Sequence, residues 1–394
     1  MLNSKSKRII DNYIFTIHKR LDSLSLFSGL SSQILAKIEF GKHFQNDNIK
    51  SAINADINHL FYLIENLNTL NATFSNGLSG AGWLILILNE EGLIDINPDL
   101  LLEEIDDFVI EQLKMYLKYQ NFDILHGSIG IGIYLLKRGK TECVIDIINS
   151  LYINAIKSDD EIKWKNIFPR KQNQNTYDLS LAHGHTGILY FLGKCYKQKI
   201  SADLCKVMID GIFKFYFNNI QNQTIAGAFW PSKIDESSYK SGSKLNELSR
   251  LAWCYGDLGT LQVMNLVAIW TKDICIEERT EKLLEETAKR VNIKDNLIDN
   301  TYMCHGISGI ISVYSSIYRR RKNPIFKDAA EFWYNELIKL YNLYDDSFHR
   351  LQPADVNSLA EKGILHGREG ILLSILSLYK SNTSPKWHEV FFMA

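Results

Sequence analysis

The feature that most constrains this chain is a glycine pair that returns six times. Gly-x-x-Gly followed by an apolar stretch occurs in NGLSGAGWLILIL from Asn76, HGSIGIGIYLL from His126, HGHTGILYFLG from His183, YGDLGTLQVMNLVAIW from Tyr255, HGISGIISVYSSIY from His305 and HGREGILLSILSLY from His366. The first glycines, Gly77, Gly127, Gly184, Gly256, Gly306 and Gly367, lie 50, 57, 72, 50 and 61 residues apart. Each interval has room for two helices and their loops, which marks a repeat architecture. The stretches after the glycines are apolar on all sides, as a buried helix is. The stretches between them are amphipathic. EEIDDFVIEQLKMYLKYQ (103–120) sets Ile105, Phe108, Val109, Leu113 and Tyr116 near one face, and EFWYNELIKLYNLY (331–344) behaves similarly. An early stretch, RIIDNYIFTIHKRL (8–21), is expected to begin a seventh pair without a glycine signature.

Strand signals are sparse, so the fold class is all-α. Helical hairpins of this kind close into a ring of inner helices inside a ring of outer ones, or stack as an open solenoid. The longest interval contains GAFWPSKIDESSYKSGSKLNE (227–247), read as an ordered loop or small insertion that could lie over a site. The chain is taken as a single domain over 1–394, with residues 1–50 carrying little signal.

Hydrophobic residues make up 46%, charged residues 23%, and six of 394 are proline, which suits a soluble globular protein. A net charge of −1 gives no basic excess that would argue for nucleic acid as a partner. The N-terminus has no apolar stretch followed by a small-residue cleavage site, and no apolar run approaches the roughly eighteen residues of a membrane helix. A cytoplasmic location is expected. Lys5, Lys7 and Arg8 read as a solvated tail, with weak peripheral contact at an anionic membrane surface as the alternative.

In a long cytosolic chain, the six cysteines point to metal binding or simple burial rather than to disulfides. Cys254 and Cys304 each stand two residues before a repeat glycine, and His305 follows Cys304. Neighbouring repeats would present matching thiolates, and two thiolates with an imidazole suit zinc with an open fourth position. The competing reading is a pair of buried small hydrophobes. Cys143, Cys195, Cys205 and Cys275 lie in or near helical stretches and read as buried or incidental.

The set Trp253-Cys254-Tyr255-Gly256, Cys304-His305-Gly306 and Ala182-His183-Gly184 resembles the lanthionine synthetase C-like (LanC-like) cyclases over roughly residues 70–380. That resemblance implies an α/α toroid, a double-layered helical barrel, with a catalytic zinc ion (Zn2+) held by Cys254, Cys304 and His305. It implies addition of a peptide cysteine thiol to dehydroalanine or dehydrobutyrine, forming lanthionine or methyllanthionine. It further implies acid–base or orienting roles for His183 and Asp123, and a role for Arg250, with Tyr255 and Trp253 as possible lining residues. The implied partners are a dehydrated precursor peptide with a leader segment, a separate dehydratase and a membrane transporter.

The chemistry is consistent with those roles. Zinc favours a thiolate nucleophile at neutral pH. Arg250 would stabilise the enolate formed by attack, and His183 would protonate its α-carbon. Each residue also has a plainer reading. His183 could be a satisfied core histidine, Arg250 a partner of Glu247, and Asp123 a cap. His126 and His366 are assigned structural hydrogen bonding, and the place of His185 is open. The alternatives to a cyclase are a non-catalytic scaffold that binds peptides or a small thiol, and another zinc-thiolate alkyl transferase.

Overall fold

The computed structural model describes residue 10 and residues 20–44, 47–66, 71–95, 97–165, 175–221, 226–241, 247–340, 363–379 and 384–394. The basic cluster Lys5, Lys7 and Arg8, almost all of 8–21, and residues 341–344 lie outside the described residues. By residue contacts the chain divides into two compact units. One comprises 1–71, 76–96 and 298–394; the other comprises 72–75 and 97–297.

In the first unit, Leu30–His43, Leu78–Glu90, Ile307–Arg321 and Arg368–Leu376 are buried along most of their length. Their apolar, small-residue surfaces demand this. Asp47–Asn66 and Pro324–Leu340 bury one stripe each, Ile49, Ile53, Ile57 and Leu60 in the former and Phe326, Ala330, Trp333 and Leu337 in the latter. Leu30–His43 packs on Asp47–Asn66 and on Arg368–Leu376, and Ile307–Arg321 packs on Pro324–Leu340.

The second unit repeats the scheme. Ser128–Lys137, His185–Lys197 and Asp257–Thr271 are the buried helices. Glu103–Lys118, Thr141–Ile153, Ala202–Asn218 and Ile274–Ala288 are amphipathic. In Glu103–Lys118, Ile105, Val109 and Leu113 are buried, while Phe108 and Tyr116 are half-buried. Among the described residues, two small antiparallel two-stranded sheets interrupt the helices. Ile156–Ser158 pairs with Glu161–Lys163, and Thr176–Asp178 pairs with Lys233–Asp235, with Tyr177 opposite Ile234.

A shared turn precedes each buried helix, and it explains the glycines. A Cβ on Gly127 would overlap the backbone oxygen of Asn121, six residues earlier. Gly256 makes the same approach to Arg250 with φ at +112°, a conformation that glycine adopts without strain. Gly29 occupies an equivalent turn against Ser23, with φ of −121° against −114° to −142° at Gly77, Gly127, Gly184, Gly306 and Gly367. A seventh pair of helices, Leu30–His43 and Asp47–Asn66, therefore follows Gly29, whereas almost all of 8–21 lies outside the described residues. Ser32 stands where a second glycine would have revealed it.

Backbone hydrogen bonds register neighbouring turns within each unit. Leu365 N–H donates to Phe27 C=O at 3.0 Å and Cys304 N–H to Leu365 C=O at 3.1 Å. In the other unit, Leu181 N–H donates to Cys254 C=O at 3.0 Å. The segment expected as an insertion is anchored rather than loose. The backbone N–H groups of Phe229 and Trp230 donate to the Asp257 carboxylate, at 3.0 and 3.1 Å. The Tyr239 hydroxyl reaches the buried Lys163–Glu161 pair. Residues 242–246 lie outside the described residues.

Candidate active site

In the second unit, the turn before Ser128–Lys137 carries Asp123 and His126, and the turn before His185–Lys197 carries His183. The Asp123 carboxylate is fully buried and works in two directions. Its Oδ1 accepts the backbone N–H of Leu125 at 2.8 Å and of His126 at 2.6 Å. Its Oδ2 accepts from His183 Nδ1 at 2.5 Å. The first pair of bonds fixes the turn and the second fixes the His183 ring. The bond engages the ring through Nδ1. The His183 side chain is 14% exposed, so it is reachable but partly desolvated.

Two more rings flank His183. His126 lies nearly parallel, with centroids 5.8 Å apart and an interplanar angle of 17°. Tyr255 is tilted at 5.9 Å. Tyr255 is half-buried and Trp253 is fully buried.

The segment around Cys254 is held by a buried ion pair that the sequence does not announce. Arg290 Nη1 pairs with Asp257, its Nη2 donates to Ser249 C=O at 2.6 Å, and its Nε donates to Asn296 at 2.8 Å. Burial pushes the Asp257 carboxyl up, and the Arg290 guanidinium and the N–H groups of Phe229 and Trp230 oppose that shift. Arg250 Nη1 donates to the backbone oxygen of Leu297.

His185 has a structural explanation. It is fully buried, its Nδ1–H donates to Asp178 C=O at 2.5 Å, and its Nε2 accepts the backbone N–H of Trp164 at 2.9 Å. Burial holds its pKa down, at about 4, so the ring is neutral and ties the Trp164 strand end to a repeat turn.

In the first unit, Cys304 and His305 occupy the turn before Ile307–Arg321, and both are half-buried. His305 Nε2 lies 3.9 Å from an Asp299 carboxylate oxygen. His366 presents its ring to His305 at 6.0 Å and to Tyr302 at 6.1 Å. Burial and the neighbouring His305 hold the His366 pKa down, at about 4. Cys254 is 1% exposed, and neither it nor Cys304 forms a disulfide. Two thiolates and one imidazole are a donor set that zinc takes in a tetrahedral site with an open fourth position, so Cys254, Cys304 and His305 fit zinc in their chemistry. Of the other cysteines, Cys195 and Cys205 are buried, Cys143 is half-buried and Cys275 is exposed.

A family model described as lanthionine synthetase C-like protein matches residues 20–392. The chain belongs to this family. It is 25% identical to the nisin biosynthesis protein NisC of Lactococcus lactis subsp. lactis over 392 residues, spanning 94% of this chain and 89% of that protein. The solved structure of nisin cyclase matches with a TM-score of 0.78 at 20% identity, covering 98% of this chain and 96% of that one. The fold is therefore the α/α toroid of the lanthionine synthetase C-like proteins. The rings of His126 and His366 lie beside two of the named residues, a placement that residue types alone did not give. The signal available was register, since His126, His183, Tyr255, His305 and His366 each directly precede the first glycine of a pair.

Proposed function

We propose that this chain is a zinc-dependent lanthipeptide cyclase. Its reaction adds cysteine thiols of a dehydrated precursor peptide to dehydroalanine or dehydrobutyrine within the same peptide, closing lanthionine and methyllanthionine rings. The observation that carries this reading is that Cys254, Cys304 and His305, donors that zinc takes, stand in the turns before two repeat helices of a chain of this family. Zinc held by those three residues would favour the thiolate form of an incoming peptide cysteine at neutral pH.

The remaining steps fall to the chain's own side chains. Attack at the β-carbon places charge on the enolate oxygen, and Arg250 is assigned its stabilisation, with one guanidinium N–H already oriented by the Leu297 carbonyl. His183 delivers the proton to the α-carbon from Nε2. Asp123 fixes the tautomer and the ring plane, and supports the imidazolium form by its charge. Tyr255 limits the space beside His183 and so restricts how the peptide approaches. A separate dehydratase must supply the substrate, and the leader segment of the precursor and a membrane transporter are the further partners. Among the described residues, no helix is long and apolar enough to cross a membrane.

The test pairs metal analysis with thiol alkylation of a dehydrated peptide, because ring closure leaves the peptide mass unchanged. The wild type should hold about one zinc per chain and consume peptide thiols, and Cys254→Ala and Cys304→Ala should lose both properties. Zinc retained in Cys254→Ala would remove the ligand set. Zinc present without thiol consumption would favour a scaffold.

A further inference from the structure

We propose that His126 supplies protons to His183 between turnovers. This rests on the cyclase reading above and adds to it a residue so far given only a structural role. In the addition, a C–S bond forms and the alkene π bond breaks, and its electron pair passes to the enolate. His183 then gives a proton to the α-carbon, forming the C–H bond and leaving neutral imidazole. The thiol proton has already gone to solvent. The reaction is therefore proton-neutral overall, yet His183 must regain one proton for every ring closed.

The geometry points to His126 as the donor. Its ring lies 5.8 Å from that of His183 and nearly parallel to it. One water molecule bridging the two rings spans that separation. The arrangement is fixed rather than incidental. The same buried carboxylate holds the His126 backbone N–H through Oδ1 and the His183 ring through Oδ2. Asn121 Nδ2 donates to the His126 carbonyl at 3.1 Å and steadies the turn from its other side. Asp123 faces this pair from below, and Tyr255 faces His183. Both imidazoles are partly exposed, so His126 can recover its proton from water.

The experiment compares wild type, His126→Gln and His126→Asn on a dehydrated peptide, in a non-imidazole buffer and with added imidazole. Turnover of both variants should fall about tenfold with KM and zinc content unchanged, and imidazole should restore it without accelerating the wild type. A purely structural residue would not respond to a diffusible proton donor. Variants as fast as the wild type overturn the role of His126 alone. So does a loss that imidazole leaves in place, with or without a lowered Tm. A wild type that leaves the peptide thiols untouched overturns the cyclase reading, and this assignment falls with it.

Discussion

At the scale of single residues, Asp123 shows how one carboxylate can cap a turn and orient a base. The two roles separate on substitution. Asn keeps a carbonyl oxygen for the Leu125 and His126 N–H groups but offers His183 Nδ1 an amide instead of a charge. Asp123→Asn should therefore lower turnover about 100-fold while changing stability by about 1 kcal/mol or less. Asp123→Ala strands two buried N–H groups and should lose about 2–4 kcal/mol as well. Peptide cyclisation rates and urea denaturation of both variants check this, and parallel losses in the two would reduce Asp123 to a cap. His185 makes a pH prediction of a different kind. Its folded pKa, about 4, lies below the ordinary 6.5. Between those values the unfolded chain binds a proton that the native chain does not, so the contribution of His185 to stability rises with pH across this window and is lost as pH falls through it. The full effect is about 3 kcal/mol. Urea titrations from pH 4 to 7 should show His185→Asn with a shallower rise than the wild type. Parallel curves would mean that the ring is not held neutral.

At the scale of elements, the unit of construction is a turn that packs a glycine against a carbonyl six residues earlier and then releases a buried helix. Six copies were legible because a turn of one fixed geometry demands glycine at the same offsets before every all-apolar run. The seventh was hidden because Ser32 stands at the place of the second glycine. The two small sheets were also illegible, being three-residue strands without an alternating pattern long enough to read. The proximity of His126 to His183 depends on packing between turns 57 residues apart in sequence, which no local pattern encodes. The turn itself can be tested where the motif is absent. Gly29→Ala drives a methyl group into the Ser23 carbonyl and the Ser25 amide and should cost about 3 kcal/mol. Gly92→Ala, at φ of +65° with nothing within 4 Å of the new Cβ, should cost about 1 kcal/mol from backbone conformation alone. Equal losses in urea denaturation would show that Gly29 is not under the same steric constraint as the motif glycines.

At the scale of the whole molecule, hairpin periodicity alone could not choose between a closed ring and a solenoid, because both stack the same unit. Likeness of fold to nisin cyclase over 98% of the chain decides it. The proposed ligand set has a consequence at this scale, since Cys254 precedes Cys304 and His305 by about fifty residues of folded chain and no unfolded chain holds them together. A metal that binds only the native chain stabilises it by about 4 kcal/mol when its free concentration is a thousand times Kd. Removing zinc with a strong chelator should then lower the Tm of the wild type by several degrees, and added zinc should restore it. Cys304→Ala should begin near the chelated value and respond to neither treatment. The gap between the metal-loaded and chelated wild type should narrow as the pH falls, because thiolate and imidazole ligands must be deprotonated to bind. A wild type whose Tm is indifferent to chelation would show that these donors are not held as one site by a metal.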